Sequence, residues 1–378
     1  VPMRFIKHVY KIHTYAQDGR LFEGKTPVSA FLNSSYDGSF IAGLMELRYI
    51  QSLPVERIIN YFESHGFTLK KPTAHKLMEK ASSLFENLYK CIRQTALSDP
   101  YKAADETYYK ILVPEKNSKG KGVRKGYLWV VVGINTRMIY LLYDDGSRSE
   151  KVILNELGGC KGIIQSDGYS PYRKLESDAY PHITRIPCLQ HIKRKFIDCG
   201  EDEPDAKRIV ELINTLYQNE HKHKIGVDGW TVEQNLVHRK KYAPDILGEI
   251  KDVLDDIEER GDLLPKSELK EAVTYLRNEW NAVVDIFNYG DTYLDNNIVE
   301  RMNRYISLSR KNSLFFGSHK GAERGTILYT IALTCRMHKV NLFEYLTDVI
   351  NRTAEWQPNT PLEKYRQLLP DRWEKAND

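Results

Sequence analysis

At Ala104 the apolar periodicity of this chain changes from helical to extended, and the order of segments that follows leaves few ways to fold. Asp105 to Val113 is rich in β-formers. After a Gly/Lys loop from Lys116 to Lys125, the stretches Gly126 to Gly133 and Arg137 to Tyr143 are dense in Val, Leu, Ile and aromatic residues. Asn135-Thr136 supplies a turn between the last two, so three consecutive antiparallel strands are predicted. Ser149 to Leu157 then reads as a helix, and Gly162 to Gln165 as a short apolar strand ending at Ser166-Asp167-Gly168. A helix over Tyr169 to Glu176, a strand over Ile183 to Ile186 and a helix over Leu189 to Asp198 complete the series.

Three antiparallel strands, helix, strand, helix, strand, helix is the ribonuclease H-like order, in which helices cover a mixed sheet. The predicted fold class is therefore mixed α/β, with a ribonuclease H-like sheet flanked by helices, an N-terminal helical domain and a helical insertion. Residues 1–38 lack clear periodicity and read as an irregular or short-stranded N-terminal segment. Residues 39–100 are helical. Pro54 opens a second helix there, and Pro72-Thr73 precedes one long amphipathic run from Ala74 to Leu97. Helix, tight turn, helix fits either a DNA-reading region, in which Lys71 and Lys76 meet phosphates or base edges, or a plain bundle. The sheet domain is assigned to 101–199 and 286–340, the charged helical insertion to 200–285, and a C-terminal helical tail to 341–378.

Composition narrows the partners. A chain of 378 residues has room for two or three structural units. With 55 basic against 51 acidic residues, only local clustering can make a polyanion-binding face. No stretch approaches the roughly 20 uncharged apolar residues that span a bilayer, so a membrane role is not expected. Cys91, Cys160, Cys188, Cys199 and Cys335 are widely spaced without a C-x-x-C pair, which reads as reduced thiols in the cytoplasm. The start at Val1-Pro2 carries no secretory pattern and no initiator Met, the expectation being a trimmed or processed chain.

In the predicted order Asp105 begins the first strand and Asp167 ends the fourth, and in this fold those strands are neighbours. Two ionised carboxylates about 4 Å apart repel by roughly 4 kcal/mol at an effective dielectric near 20, so such a pair must share a proton or hold a cation. Mg2+ is the expected occupant, with Mn2+ able to replace it, because hard oxygen ligands suit it and phosphate and water complete its shell. With a third carboxylate, metal ions can activate a water or a 3′-hydroxyl for in-line phosphoryl displacement. That acid should come from a later helix, where Asp295, Glu300 and Glu323 are available. Glu300 stands among amides and arginines, a setting suited to metal and phosphate together. The alternative is structural: the two aspartates cap turns and Glu300 pairs with an arginine one turn away.

The sequence resembles the transposases of the insertion-sequence sixty-six group at Ala104-Asp105-Glu106-Thr107, at Gln165-Ser166-Asp167-Gly168-Tyr169 and at Cys188-Leu189-Gln190-His191-Ile192-Lys193-Arg194-Lys195-Phe196. The likeness continues through Asp295-Asn296-Asn297-Ile298-Val299-Glu300-Arg301, Gly317-Ser318, Gly321-Ala322-Glu323-Arg324 and Tyr345-Leu346-Thr347-Asp348-Val349, covering roughly residues 40 to 350. The resemblance implies a DDE recombinase that cuts at element ends and joins the 3′-hydroxyl to target DNA, with Asp105, Asp167 and Glu300 as catalytic, metal-binding acids. It implies double-stranded DNA as partner, at least a homodimer on DNA, accessory proteins of the element, and work at the nucleoid of a bacterial cytoplasm. It also implies that His191, Lys193, Arg194 and Lys195 lie beside the active centre and touch DNA backbone. Further DNA contacts are expected from Arg301, Arg304, Arg310 and Lys311, and from Lys121, Arg124 and Lys125 of the Gly/Lys loop. Two departures stand out: Leu189-Gln190 replace the family's aromatic and alanine, and the family's upstream cysteine cluster is missing from this sequence. Cys188 and His191 form half of a zinc site with no second half nearby in sequence, so zinc is not expected. Two rival functions share the scaffold, a ribonuclease H-fold nuclease or resolvase and a non-catalytic DNA-binding descendant of a transposase.

Overall fold

The computed structural model describes residues 4–24, 29–31, 34–116, 120, 122–261, 263–357 and 359–375. Near the start, β1 (Thr14–Gln17) and β2 (Arg20–Glu23) form an exposed hairpin. It closes on Asp18-Gly19, both at positive φ (49° and 73°), as two-residue hairpin turns require. Four helices follow: α1 (Gly38–Tyr49), α2 (Val55–Ser64), α3 (Lys71–Leu84) and α4 (Glu86–Ser98). The single run expected from Ala74 to Leu97 is thus two helices. The break falls at Phe85, which is fully buried and leaves helical geometry (φ −91°, ψ 2°). Apolar spacing continues across it from Ala81 to Leu88, so periodicity alone gave no sign of it.

The sheet contains β3 (Tyr101–Leu112), β4 (Val123–Gly133), β5 (Ile139–Leu142), β6 (Gly162–Ser166) and β7 (Ile183–Pro187), in the order β5-β4-β3-β6-β7. The first three in sequence pair antiparallel, whereas β6 pairs parallel to both β3 and β7. Asp105 therefore sits within β3 rather than at its start. Tyr101, Lys102 and Ala103 extend the strand backwards by pairing with β6. A lysine in mid-strand concealed this extension. Lys102 is fully buried, and its ammonium donates to the carbonyls of Asp99 and Lys161, which satisfies the charge locally.

Helices α5 (Glu150–Leu157), α6 (Ser170–Arg173) and α7 (Leu189–Asp198) alternate with the later strands, and three long helices follow, α8 (Pro204–His221), α9 (Val232–Arg260) and α10 (Glu268–Ile286). The chain ends in α11 (Asn297–Asn312), α12 (His319–Met337), α13 (Leu342–Thr353) and α14 (Leu362–Arg366). No helix among the described residues is long and apolar enough to cross a membrane. Two apolar cores form. One joins α1 to α4, the sheet and α11 to α13 around Trp129 and Tyr329; the other sets α7 to α10 against Tyr101, Ile163 and Ile186. Each fully buried large apolar side chain contributes about 1.5–3 kcal/mol, so both helical layers are firmly attached to the sheet. The β5 edge is covered by α12, where the hydroxyls of Thr330 and Thr334 accept from the amides of Leu141 (3.1 Å) and Ile139 (3.2 Å). An edge satisfied this way is closed to further strands.

Candidate active site

The β3-β6 junction fixes the site. Because these neighbours run parallel, Asp105 in β3 and Asp167 just past the end of β6 come close enough for the Asp167 charge to act on Asp105. Burial, then the charges of Glu106 and Asp167, push the Asp105 carboxyl up to about 8. Its oxygens accept from the Glu106 amide (2.8 Å) and from Asn303 Nδ2 (2.7 Å). Glu106 is a further buried acid whose carboxyl is pushed up by burial and by Asp167. Its Oε1 accepts from Arg148 Nε (2.9 Å). Neither Glu106 nor Asn303 stands out in the sequence pattern, although Asn303 lies one helical turn beyond Glu300.

Glu300, the expected third acid, follows a tightly tied segment. Between α10 and α11 the chain crosses the ends of β3, β6 and β7. The Tyr293 amide donates to Tyr101 Oη (3.0 Å), Gln165 Nε2 to the Tyr293 carbonyl (2.8 Å), and the Leu189 amide to the Leu294 carbonyl (2.9 Å). Asn296 then pins the head of α11, its Nδ2 donating to the Ala104 carbonyl (2.9 Å) and its amide to Cys188 Sγ (3.2 Å). In the first turn that follows, Glu300 turns Oε1 inward, 3.9 Å from His191 Nδ1. The other two candidates lie elsewhere. Asp295 caps the Asn297 amide (3.1 Å), and Glu323 lies beside Tyr143. His191 faces Glu300 and also lines the concavity that holds Asp167; among the described residues Glu300 clusters with Cys188 and His191 and not with the two aspartates.

The Asp167 turn is held from below and behind. Arg185, fully buried in β7, donates to the Asp167 carbonyl (3.1 Å) and pairs with Glu279 of α10 and with Glu176. The Gly168 amide donates to Tyr275 Oη (2.8 Å), also of α10. A Cβ at Gly168 would lie 2.5 Å from that oxygen, which explains glycine there. Arg194, Lys195, Asp198, Arg148, Tyr169 and Tyr275 complete the concavity.

From this concavity a row of cations and rings runs outward. Arg148 lies over Tyr169 (4.1 Å) and Tyr127 (5.1 Å), Lys125 over Tyr127 (5.2 Å) and Tyr108 (4.4 Å), and Arg310 over Tyr108 (3.8 Å). Arg124, Arg301, Arg304 and Lys311 are exposed, while Lys193 is half-buried and stands off the Asp167 concavity. Lys71 pairs with Glu56 on the surface at the head of α3, and Lys76 is exposed beside it. Lys121 lies outside the described residues.

Several oxygens here are buried without a hydrogen-bond partner among the described residues: Glu300 Oε1, Asn296 Oδ1 and Asn303 Oδ1. Hard orphaned oxygens, with Asn303 bonded to a carboxyl that resists ionisation, fit a divalent cation of hard-ligand preference. The same electrostatics makes stability pH-dependent. The Asp105 carboxyl ionises near 3.9 when unfolded but only near 8 when folded, so between those values the folded protein holds a proton that the unfolded chain has released. This group's contribution to metal-free stability is then full below about pH 4 and is lost as pH rises to about 8, at up to ~1.4 kcal/mol per pH unit. Thermal unfolding in chelator should show that decline, and Asp105→Asn should flatten it. Equal slopes in both proteins would contradict the assignment.

A family model described as Transposase IS66 family matches residues 33–324. Among curated proteins the chain is similar to three from Sinorhizobium fredii (strain NBRC 101917 / NGR234). Uncharacterized protein y4jD is 25% identical, with 88% of this chain and 65% of that protein covered. Uncharacterized protein y4hP is 23% identical over 100% of this chain and 70% of its own length, and uncharacterized protein y4qI 25% identical over 96% and 68%. The chain therefore spans about two thirds of the length of these relatives.

Proposed function

The chain belongs to the IS66 transposase family, and from that premise we propose that it is a DDE-type enzyme of ribonuclease H-like fold, cutting DNA at element ends and joining the 3′-hydroxyl to target DNA. The observation that carries this reading is the Asp105 carboxyl, pushed up by burial and then by the charges of Glu106 and Asp167 at the parallel β3-β6 junction, with Glu300 in the first turn of α11. The order β5-β4-β3-β6-β7 is the one a ribonuclease H-like sheet requires.

Asp105, Asp167 and Glu300 would hold Mg2+ or Mn2+, which when bound polarises the scissile phosphate and the attacking hydroxyl. Asn303 orients the Asp105 carboxylate, and Arg185 with Tyr275 fixes the turn that carries Asp167. Arg194 and Lys195 lie where a phosphate beside Asp167 needs counter-charge, and the Arg310-Lys125-Arg148 row gives the strand a path away from the acids. The partners are then double-stranded element ends and target in a bacterial cytoplasm, engaged by at least a dimer, because two ends must be joined together. Each cation that contacts a phosphate contributes about one unit to the salt slope of binding, so the double variant Lys125→Ala, Arg310→Ala should lower that slope by about 2. An unchanged slope would remove this row from the DNA path.

The function is tested by incubating the protein with Mg2+ or Mn2+, a labelled DNA end and a target plasmid. Covalent attachment of label to plasmid is the expected result. Cleavage without joined product under every condition would replace strand transfer with hydrolysis.

A further inference from the structure

We propose that Cys188, His191 and Glu300 form a second metal site, selective for a thiophilic divalent ion of the zinc class and distinct from the hard-ion site at Asp105 and Asp167. One ligand atom from each residue lies within 4.8 Å of the other two. Sequence offered only the C-x-x-H half, and the fold adds the third ligand from a helix 112 positions further on.

The local structure suits the role. Cys188 and His191 stand three residues apart at the head of α7, one helical turn, so both side chains face the same way. Opposite them, the Asn296 amide donates to Cys188 Sγ (3.2 Å), but burial outweighs that bond and pushes the thiol up to about 12, so it is the arriving metal that displaces the proton. His191 Nδ1 and Glu300 Oε1 are both buried, lack hydrogen-bond partners among the described residues, and face each other across 3.9 Å. That separation is too long for a hydrogen bond and close to the edge of a tetrahedral shell, about 3.3–3.6 Å for zinc bonded at 2.0–2.3 Å. Small side-chain rotations therefore bring all three atoms to one ion. Binding releases the thiol proton to solvent and forms Cys188 S–metal, His191 N–metal and Glu300 O–metal bonds, leaving a fourth position open to water or an anion. Thiolate and imidazole discriminate against magnesium and calcium, so the two sites take different ions.

The consequence rests on the transposase reading: Glu300 belongs to both sites, and a zinc-class ion that engages it withholds the third acid from the strand-joining centre. Binding itself does not depend on that reading. The test adds Co2+ to the full chain without DNA or Mg2+ and follows the thiolate-to-cobalt charge-transfer band together with the visible bands of tetrahedral cobalt. One equivalent should saturate both, and one equivalent of Zn2+ should bleach them. Cys188→Ser should lose the charge-transfer band, Glu300→Gln should weaken binding at least tenfold, and Asp105→Asn should bind as the unaltered protein does. If Cys188→Ser does not fold, as its circular dichroism would reveal, the partly exposed His191→Ala decides by losing at least tenfold in affinity. No band in the unaltered protein, or a band that survives Cys188→Ser, overturns the proposal. A protein that joins DNA but gives no band loses only the second site, whereas one that gives the band but joins nothing loses only the transposase mechanism.

Discussion

Asp105→Asn and Asp167→Asn proteins should bind element-end DNA as the unaltered protein does while losing strand joining by on the order of 10³-fold or more, about 4 kcal/mol of transition-state stabilisation at 1.36 kcal/mol per decade. The amide keeps the size of each side chain but removes a ligand charge from the metal. Folding gives no competing explanation. Asp105 is buried among like charges, so neutralising it relieves repulsion in the metal-free protein, and the variants should melt no lower than their parent in chelator. If Glu300 is the third metal-binding acid, Glu300→Gln should show the same loss; its Oε1 faces inward beside His191, which lines the concavity that holds Asp167. Full joining activity in Glu300→Gln would move the third acid elsewhere, with Asp295 and Glu323 already engaged at other places.

The second large effect lies in a helix that contributes none of the three acids. Glu279 of α10 and Arg185 of β7 are both almost completely buried, and Arg185 also donates to the carbonyl of Asp167. Removing one member of a buried pair typically costs 3–5 kcal/mol, and Glu176 still contacts Arg185, so Glu279→Ala should cost about 3 kcal/mol. For a chain of 378 residues that is a fall in Tm of about 4 °C, from an unfolding entropy near 2.1 cal/mol/K per residue. Joining should fall as well, by roughly 10- to 100-fold, the usual cost of disturbing groups that orient metal ligands. Glu279→Gln, which retains an acceptor for Arg185, should lose less of both. A Tm drop with unchanged joining would make the pair a matter of stability alone.

What the sequence reveals and what it conceals follow one physical division. The strands of the sheet carry β-formers at short range, and the parallel neighbour of β3 follows from their order, so Asp105 and Asp167 could be paired before any coordinates. The start of β3 is hidden by Lys102, whose burial is tolerable because its ammonium donates to the carbonyls of nearby Asp99 and of Lys161, 59 positions on. The α3-α4 break was hidden because Phe85 preserves the apolar stripe while leaving helical geometry. Contacts across long separations leave no local trace. Tyr275 with Gly168, Glu279 with Arg185 and Asn303 with Asp105 are ordinary residues until the fold assembles them. Glu106 adjoins Asp105, but alternation along a strand points successive side chains to opposite faces, so the sequence gives no sign that Asp167 acts on both. Glu300 could be ranked above Asp295 and Glu323 from its amide and arginine neighbours and the family likeness, yet its partner His191 becomes evident only in three dimensions.

The measurement that bears most directly on the central claim is an anomalous difference map from crystals of this protein soaked in Mn2+. The account predicts a peak about 2.2 Å from carboxylate oxygens of both Asp105 and Asp167, with Glu300 within reach of the same cluster, and its disappearance in Asp167→Asn. A map in which manganese avoids those two aspartates, or binds them equally well after Asp167→Asn, would contradict it.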